Sequence, residues 1–309
     1  MSIIFLFIDG VGLAPAGENN PFSIAATPCL SGLLEGKKLT LEAADKIYDR
    51  AALLSLDATL GVGGLPQSAT GQATLFTGVN AARVLGFHLR GFPVNVKLRK
   101  LLAEKGMFKH FLEQGRRCTF ANAYRPEFFR HFTGKIRRTY SCSTLINYYA
   151  GLSFRGLEEM LAGQAVYMDI TNEVLQKAGY DVPLISPQEA GKRLTAISRD
   201  YDLTLYEHFL TDRAGHSNDY ASAEKVIRTF DAFLGEIVET MDAERDLLLV
   251  VSDHGNLEDL RTKEHTQNSV PALIVGKGNE EMAKVLQKKK DLTGILPAIE
   301  AWFEQNPYL

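Results

Sequence analysis

Four short segments of this chain place acids and imidazoles directly after apolar runs. Asp9 follows Ile3–Ile8 and precedes Gly10-Val11-Gly12. Taken alone, an aspartate there more often serves a turn or helix cap than a ligand site. Asp253-His254-Gly255 follows Leu247–Val251. Neighbouring strand side chains point to opposite faces, so Asp253 and His254 reach one ion only where the strand yields to a turn, which Gly255 supplies. In Thr211-Asp212-Arg213-Ala214-Gly215-His216 a carboxylate and an imidazole stand at i and i+4, on one side of a helical turn. Glu264-His265-Thr266 adds an imidazole whose role depends on the other three segments.

Together these segments offer Asp9, Asp212, Asp253, His216, His254 and His265. Mixed oxygen and nitrogen donors suit zinc or manganese better than calcium, which prefers oxygen alone. The set is large enough for two divalent ions. Such pairs stand roughly 3.5–4 Å apart and stabilise both the attacking and the leaving oxygen of a phosphoryl displacement.

A hydroxyl completes the chemistry. The stretch Leu65-Pro66-Gln67-Ser68-Ala69-Thr70-Gly71-Gln72, continuing to Gly78, reads as a loop entering a short helix. A serine at such a start is either an N-cap or, near the positive helix end that favours phosphate, an activated nucleophile. The residues alone leave these readings open.

These side chains need a scaffold that gathers strand ends. Short apolar runs alternate with longer helical patterns, as in a mostly parallel sheet covered by helices on both faces, a three-layer α/β fold. The expected strands are Ile3–Ile8, Ala51–Leu56, Cys118–Ala121, Leu203–Phe209, Leu247–Val251 and Ala272–Val275; helices are expected over Val94–Gln114, Ala221–Met241 and Leu292–Glu304. Ligands of open sheets bind beyond the strands' carboxyl ends, where the acids and histidines fall. Residues 124–194 interrupt the rhythm with aromatics, arginines and small polar residues. They are expected to form a small inserted cap over a core made of residues 1–123 and 195–309.

In chain order these segments resemble the alkaline phosphatase superfamily, in particular the branch of cofactor-independent phosphoglycerate mutase and phosphopentomutase. That pattern is an Asp after the first strand, a Ser or Thr nucleophile, D-x-x-x-H, D-H-G and a final H-T. The resemblance implies an alkaline-phosphatase-like core, with a first metal held by Asp9, Ser68, Asp253 and His254 and a second by Asp212, His216 and His265. It also selects Ser68 over Thr70 as the nucleophile, since the family's reactive residue lies three places before a Gly, here Gly71, and ten before the Gly of an L-x-T-G helix, here Gly78. Asn20-Pro21-Phe22 through Pro28 looks like the family's first helix and its Asn-containing turn. Two features depart from the mutases: Gln72 stands where they usually carry His, and the cap is shorter than theirs. The expected activity is therefore a phosphatase or phosphodiesterase working through phosphoserine. The alternatives are a phosphomutase or a non-catalytic metal-binding scaffold.

The chain has 309 residues, a net charge of -3 and 23% charged residues, ordinary values for a globular protein. Between Arg83 and Arg138 stand fourteen Lys or Arg against three Glu and no Asp. Such a run forms a solvated basic face or a rim that attracts a small phosphorylated substrate. Arg125, Arg130, Arg137 and Arg138 are the candidate grips for phosphate, and Tyr140, Tyr148 and Tyr149 the candidate platforms for a ring. Specific nucleic-acid binding is not expected. The opening MSIIFLFIDG lacks a basic leader and reads as a strand rather than a secretion signal; no run is long enough for a membrane span. Three scattered cysteines fit a reducing, cytoplasmic setting. Oligomeric state stays open.

Overall fold

A computed structural model describes residues 1–132 and 136–306. The strands are β1 (Ile3–Ile8), β2 (Lys46–Ile47), β3 (Ala51–Leu56), β4 (Cys118–Phe120), β5 (Leu203–His208), β6 (Leu247–Val251) and β7 (Val270–Gly276). They form one seven-stranded sheet in the order β2-β3-β7-β6-β1-β5-β4. β1 pairs in parallel with β5 and β6, and β4 with β5; β7 runs against both β6 and β3, and β2 against β3. Thus β1, β3, β4, β5 and β6 point one way, which is the mostly parallel sheet expected.

The central strands are apolar without alternation because both of their faces are covered. In β1, Ile3, Phe5 and Phe7 enter one core while Ile4, Leu6 and Ile8 enter the other, the two-residue period of a strand. The first core is closed by helices α1 (Ser68–Thr77), α2 (Val96–Lys105), α3 (Met107–Glu113), α4 (Cys142–Tyr149), α8 (Asn279–Lys289) and α9 (Ile295–Gln305). The second is closed by α5 (Pro187–Ser198), α6 (Leu210–Ser217) and α7 (Tyr220–Thr240). Three layers result. Register aligns the functional strand ends: Ile8 stands opposite His208 and Phe7 opposite Val251, so Asp9, α6 and Asp253 emerge along one edge.

Some local expectations change. The single helix expected over Val94–Gln114 is two helices, α2 and α3, because Gly106 between them is extended (φ -60°, ψ 134°) and caps both. The helix expected from Leu292 opens with a 3-10 turn, Leu292–Gly294, before α9. Cys118–Ala121 and Leu203–Phe209 each end one residue early as strands, at Phe120 and His208. The pair Lys46–Ile47 was not anticipated; two exposed residues carry no apolar pattern. Asn20 caps the short helix Pro21–Ile24 by accepting from the Phe22 N–H.

Residues 124–194 distribute among three sites. Tyr140 and α4 join the first core, whereas Val166, Ile170 and the first half of α5 join the second. Met160, Ala165, Tyr167, Leu175 and Val182 make a small cluster with Ala123. Among the described residues no helix is long and apolar enough to cross a membrane.

Helix α1 lies directly against the turn after β6: a Cβ on Gly71 would stand 2.6 Å from the Asp253 carbonyl oxygen. Gly71→Ala should therefore push α1 off that turn and cost about 1–3 kcal/mol as overpacking. Urea unfolding measures it, and wild-type stability would contradict this contact.

Candidate metal centre and active cleft

Turns at the ends of β1, β5 and β6 bring the candidate ligands together, and each turn is tied to another. Ser252 Oγ accepts from the Val11 N–H at 2.9 Å and donates to the His254 carbonyl at 3.1 Å. The Gly10 N–H donates to Asp253 Oδ1 at 3.3 Å. Thr211 Oγ donates to the Asp9 carbonyl at 2.5 Å, seating α6 on the end of β1.

Asp212, His216 and His265 form one group and Asp9, Asp212 and His254 another, each able to present three ligand atoms within 4.8 Å of one another. His265 Nε2 lies 3.3 Å from His216 Nε2 and 3.6 Å from Asp212 Oδ1, and His216 Nε2 is 3.4 Å from Asp212 Oδ2. In the other group His254 Nε2 lies 3.3 Å from Asp9 Oδ1, 3.6 Å from Asp253 Oδ2 and 3.0 Å from Ser68 Oγ. The structure thus gathers all seven candidates: Asp9, Ser68, Asp212, His216, Asp253, His254 and His265. Asp212 belongs to both groups and so sits between them.

The donor set fits divalent cations by two signs. Buried Asp9 Oδ1 and Asp253 Oδ2 find no hydrogen-bond donor among the described residues. Such atoms are costly unless something positive reaches them. The Nδ1 atoms of His216, His254 and His265 stand at 2.6, 3.3 and 2.8 Å from the carbonyls of Lys263, Gly255 and Pro66. A proton held there directs each Nε2 toward the carboxylates, and once His254 gives up its second proton all three Nε2 lone pairs are in the tautomer a metal requires.

Electrostatics agree. Burial raises Asp9 well above the ordinary carboxylate range and raises Asp253 too, and their carboxylate neighbours add to it. Burial alone would lower His254, but Asp253 and Asp9 outweigh it and hold the imidazole up at about 10. His265, buried and next to His254, is pushed down to about 4. A site crowded with acid takes up a proton where a cation would go.

Three further residues support the ligands, and two of them, Glu258 and Asn256, carry no sequence signature. Glu258, 1% exposed, accepts from the N–H groups of Gly12 and Asn256, both at 2.8 Å, from Asn268 Nδ2 at 3.0 Å and from Thr266 Oγ. It joins the turns after β1 and β6 to the segment of His265. Gly12 is required there, since a Cβ would meet Glu258 Oε1 at 2.3 Å. Asn256 Nδ2 donates to Asp212 Oδ1 at 2.8 Å, and Gln72 Nε2 to Asp9 Oδ2 at 3.3 Å.

Asp9, Ser68 and Asp212 line a cavity of 470 Å³. Its wall includes Glu207, which accepts from Ser143 Oγ at 2.5 Å and whose carboxyl burial pushes up to about 7. Of the four candidate arginines Arg137 lines this cavity, together with Arg213, which sequence reasoning missed. Arg130 pairs instead with Glu127, and Arg125 and Arg138 are exposed outside the cavity lining. Tyr140 is in the wall; Tyr148 packs on Phe132 and Tyr149 away from it.

A family model described as Metalloenzyme superfamily matches residues 1–304. A 2,3-bisphosphoglycerate-independent phosphoglycerate mutase of Methylobacillus flagellatus is 33% identical over 132 residues, 40% of this chain and 25% of that protein. The matched part is thus about a quarter of that relative's length. Among solved structures, the PH0037 protein from Pyrococcus horikoshii superposes with a TM-score of 0.58 at 15% identity, covering 100% of this chain and 98% of that one. Leishmania mexicana phosphoglycerate mutase at low cobalt concentration gives 0.50 at 9% identity, covering 98% and 94%. At such identities the likeness is one of fold.

His254 at about 10 lies above its ordinary 6.5, so without a cation its charged form stabilises the fold fully below 6.5, a contribution lost as pH rises through 10. Cation loading must displace that proton. Titration with manganese or zinc between about pH 7 and 9 should release roughly one proton per chain or more and tighten as pH rises. Calorimetry in buffers of different ionisation enthalpy measures it; uptake without proton release would contradict this assignment.

Proposed function

The chain belongs to the metalloenzyme superfamily, the alkaline-phosphatase-like group of enzymes, and from that premise we propose that it is a two-metal phosphohydrolase with Ser68 as nucleophile. The observation that supports this most is the position of Ser68. Its hydroxyl begins α1, at the positive end of a ten-residue helix, 3.0 Å from His254 Nε2, the same nitrogen that faces Asp9 and Asp253 at 3.3 and 3.6 Å.

One ion would be held by Asp9, Asp253, His254 and Ser68, the other by Asp212, His216 and His265, with manganese or zinc suited to the mixed donors. Bound there, the ions supply Lewis acidity that favours the serine alkoxide and neutralises charge on the phosphoryl group. Ser68 Oγ attacks phosphorus in line as its proton passes to solvent; the bond from phosphorus to the ester oxygen breaks, and that oxygen takes a proton from water and departs as the alcohol. Water then attacks phosphoserine, freeing inorganic phosphate and restoring the hydroxyl. Arg137 and Arg213 orient the phosphoryl oxygens from the cleft wall. Gln72 and Asn256 hold Asp9 and Asp212 in place by amide hydrogen bonds.

Phosphoryl return to the same substrate, as in a phosphomutase, is the second reading, favoured by the name of the Methylobacillus relative. The hydrolytic reading is preferred because Gln72, which donates to Asp9, is an amide that does not ionise and so cannot trade a proton with a departing substrate as an imidazole would. The free Cys29, Cys118 and Cys142 support a reducing, cytoplasmic setting.

Metal-stripped protein reloaded with manganese or zinc should release inorganic phosphate from phosphomonoesters, or an alcohol and a phosphomonoester from phosphodiesters, across a panel of both. Ser68→Ala should lower that rate on the order of a thousandfold or more while still binding metal. Isomerised product without free phosphate would instead establish the mutase reading, and turnover undiminished in Ser68→Ala would overturn both.

A further inference from the structure

The wall that faces Ser68 is built from rings. Phe92, Tyr124, Phe128, Tyr140 and Phe209 line the same cavity as Asp9 and Asp212. The Phe128 ring centroid lies 4.2 Å from Tyr124, 5.5 Å from Tyr140 and 4.8 Å from Phe154. Tyr124 is pinned further by its hydroxyl, 2.8 Å from Thr144 Oγ. These rings hold one another, so the wall is formed before any ligand arrives, and little ordering is left to oppose binding. Phe92 is different: it is 46% exposed at the cavity, on the Gly91-Phe92-Pro93 segment.

Two observations say what such a wall receives. Tyr140 is only 6% exposed, yet its hydroxyl finds no partner among the described residues. That hydroxyl is enclosed rather than offered to the cavity, so Tyr140 contributes its ring to the wall and not a polar contact. Charge decides the rest. Among the described residues lining the cavity, Arg137 and Arg213 are the only Lys or Arg, and Glu127 and Glu207 stand there with Asp9 and Asp212. A ligand with a second anionic group beyond its phosphate would meet acids and rings rather than a cationic clamp.

Resting on the phosphoryl-transfer reading above, we infer that the substrate is a phosphate ester whose alcohol carries a flat aromatic or heteroaromatic ring, seated on the Tyr124-Phe128-Tyr140 wall and covered by Phe92. A cavity of 470 Å³ accommodates such a group with its phosphate. Offset and edge-to-face ring packing supplies the selectivity over an aliphatic alcohol.

Phosphonates that cannot be hydrolysed test the ring site separately from the chemistry. Binding of benzylphosphonate and ethylphosphonate to the manganese-loaded protein would be compared by calorimetry. The benzyl compound should bind on the order of ten- to a hundredfold tighter, the range of selectivity an apolar pocket yields. Phe92→Ala, which removes an exposed side chain and no ligand to metal, should cut that preference several-fold and leave ethylphosphonate unchanged. Equal affinities, failure of both compounds to bind, or a preference indifferent to Phe92→Ala would overturn the inference. If the ring preference holds while no ester is turned over, the hydrolytic reading alone falls.

Discussion

Three carboxylates, Asp9, Asp212 and Asp253, are forced into one small volume at the end of the sheet, two of them buried at 8% and 0% exposure. Like charges at this range repel and desolvation penalises each, so the arrangement persists only with compensating positive charge. Without cations the protein supplies that charge by holding a proton on His254 far above the usual imidazole range. With them, the same geometry becomes a pair of ligand sets that share Asp212 as a common wall.

The fold is arranged around that demand. Parallel pairing of β1 with β5 and β6 brings three strand ends to one edge, and the turns leaving them are cross-tied by Ser252 and Glu258. Glycines allow the close approach, Gly71 against the Asp253 carbonyl and Gly12 against the Glu258 carboxylate. Ser68 is delivered from the opposite direction, at the start of α1, whose Phe76 is packed edge-on against Phe5 and Phe7 of β1. The helix that starts at Ser68 and the strand that leads to Asp9 therefore share one core, which fixes their separation better than loops alone would.

Much of this was legible in the chain, for a physical reason. A buried parallel strand is a continuous apolar run, so Ile3–Ile8 and Leu247–Val251 mark themselves, and an acid or histidine just past each is at the ligand edge by construction. Asp212 and His216 were readable because i and i+4 share a helix face. Glu258 and Asn256 were not, because nothing in their local spacing shows that distant backbone N–H groups and Asp212 need them. The break at Gly106 was missed since the apolar period continues through it; a Cβ there would meet the Leu102 carbonyl oxygen at 2.5 Å and Ile146 at 3.0 Å. Residues 124–194 resisted reading most. Their aromatics serve both the core and the cleft, and only three-dimensional packing separates Tyr140 in the wall from Tyr148 outside it.

Everything proposed for this site passes through one covalent bond, that between phosphorus and Ser68 Oγ. Acid quenching of metal-loaded enzyme during turnover, followed by peptide mass spectrometry, would look for it directly. The account predicts a phosphoryl group on the peptide at Ser68, present with metal and substrate and absent when metal is stripped. Turnover at full rate with Ser68 unmodified at every quench time, or with the phosphoryl group on Thr70, would contradict it.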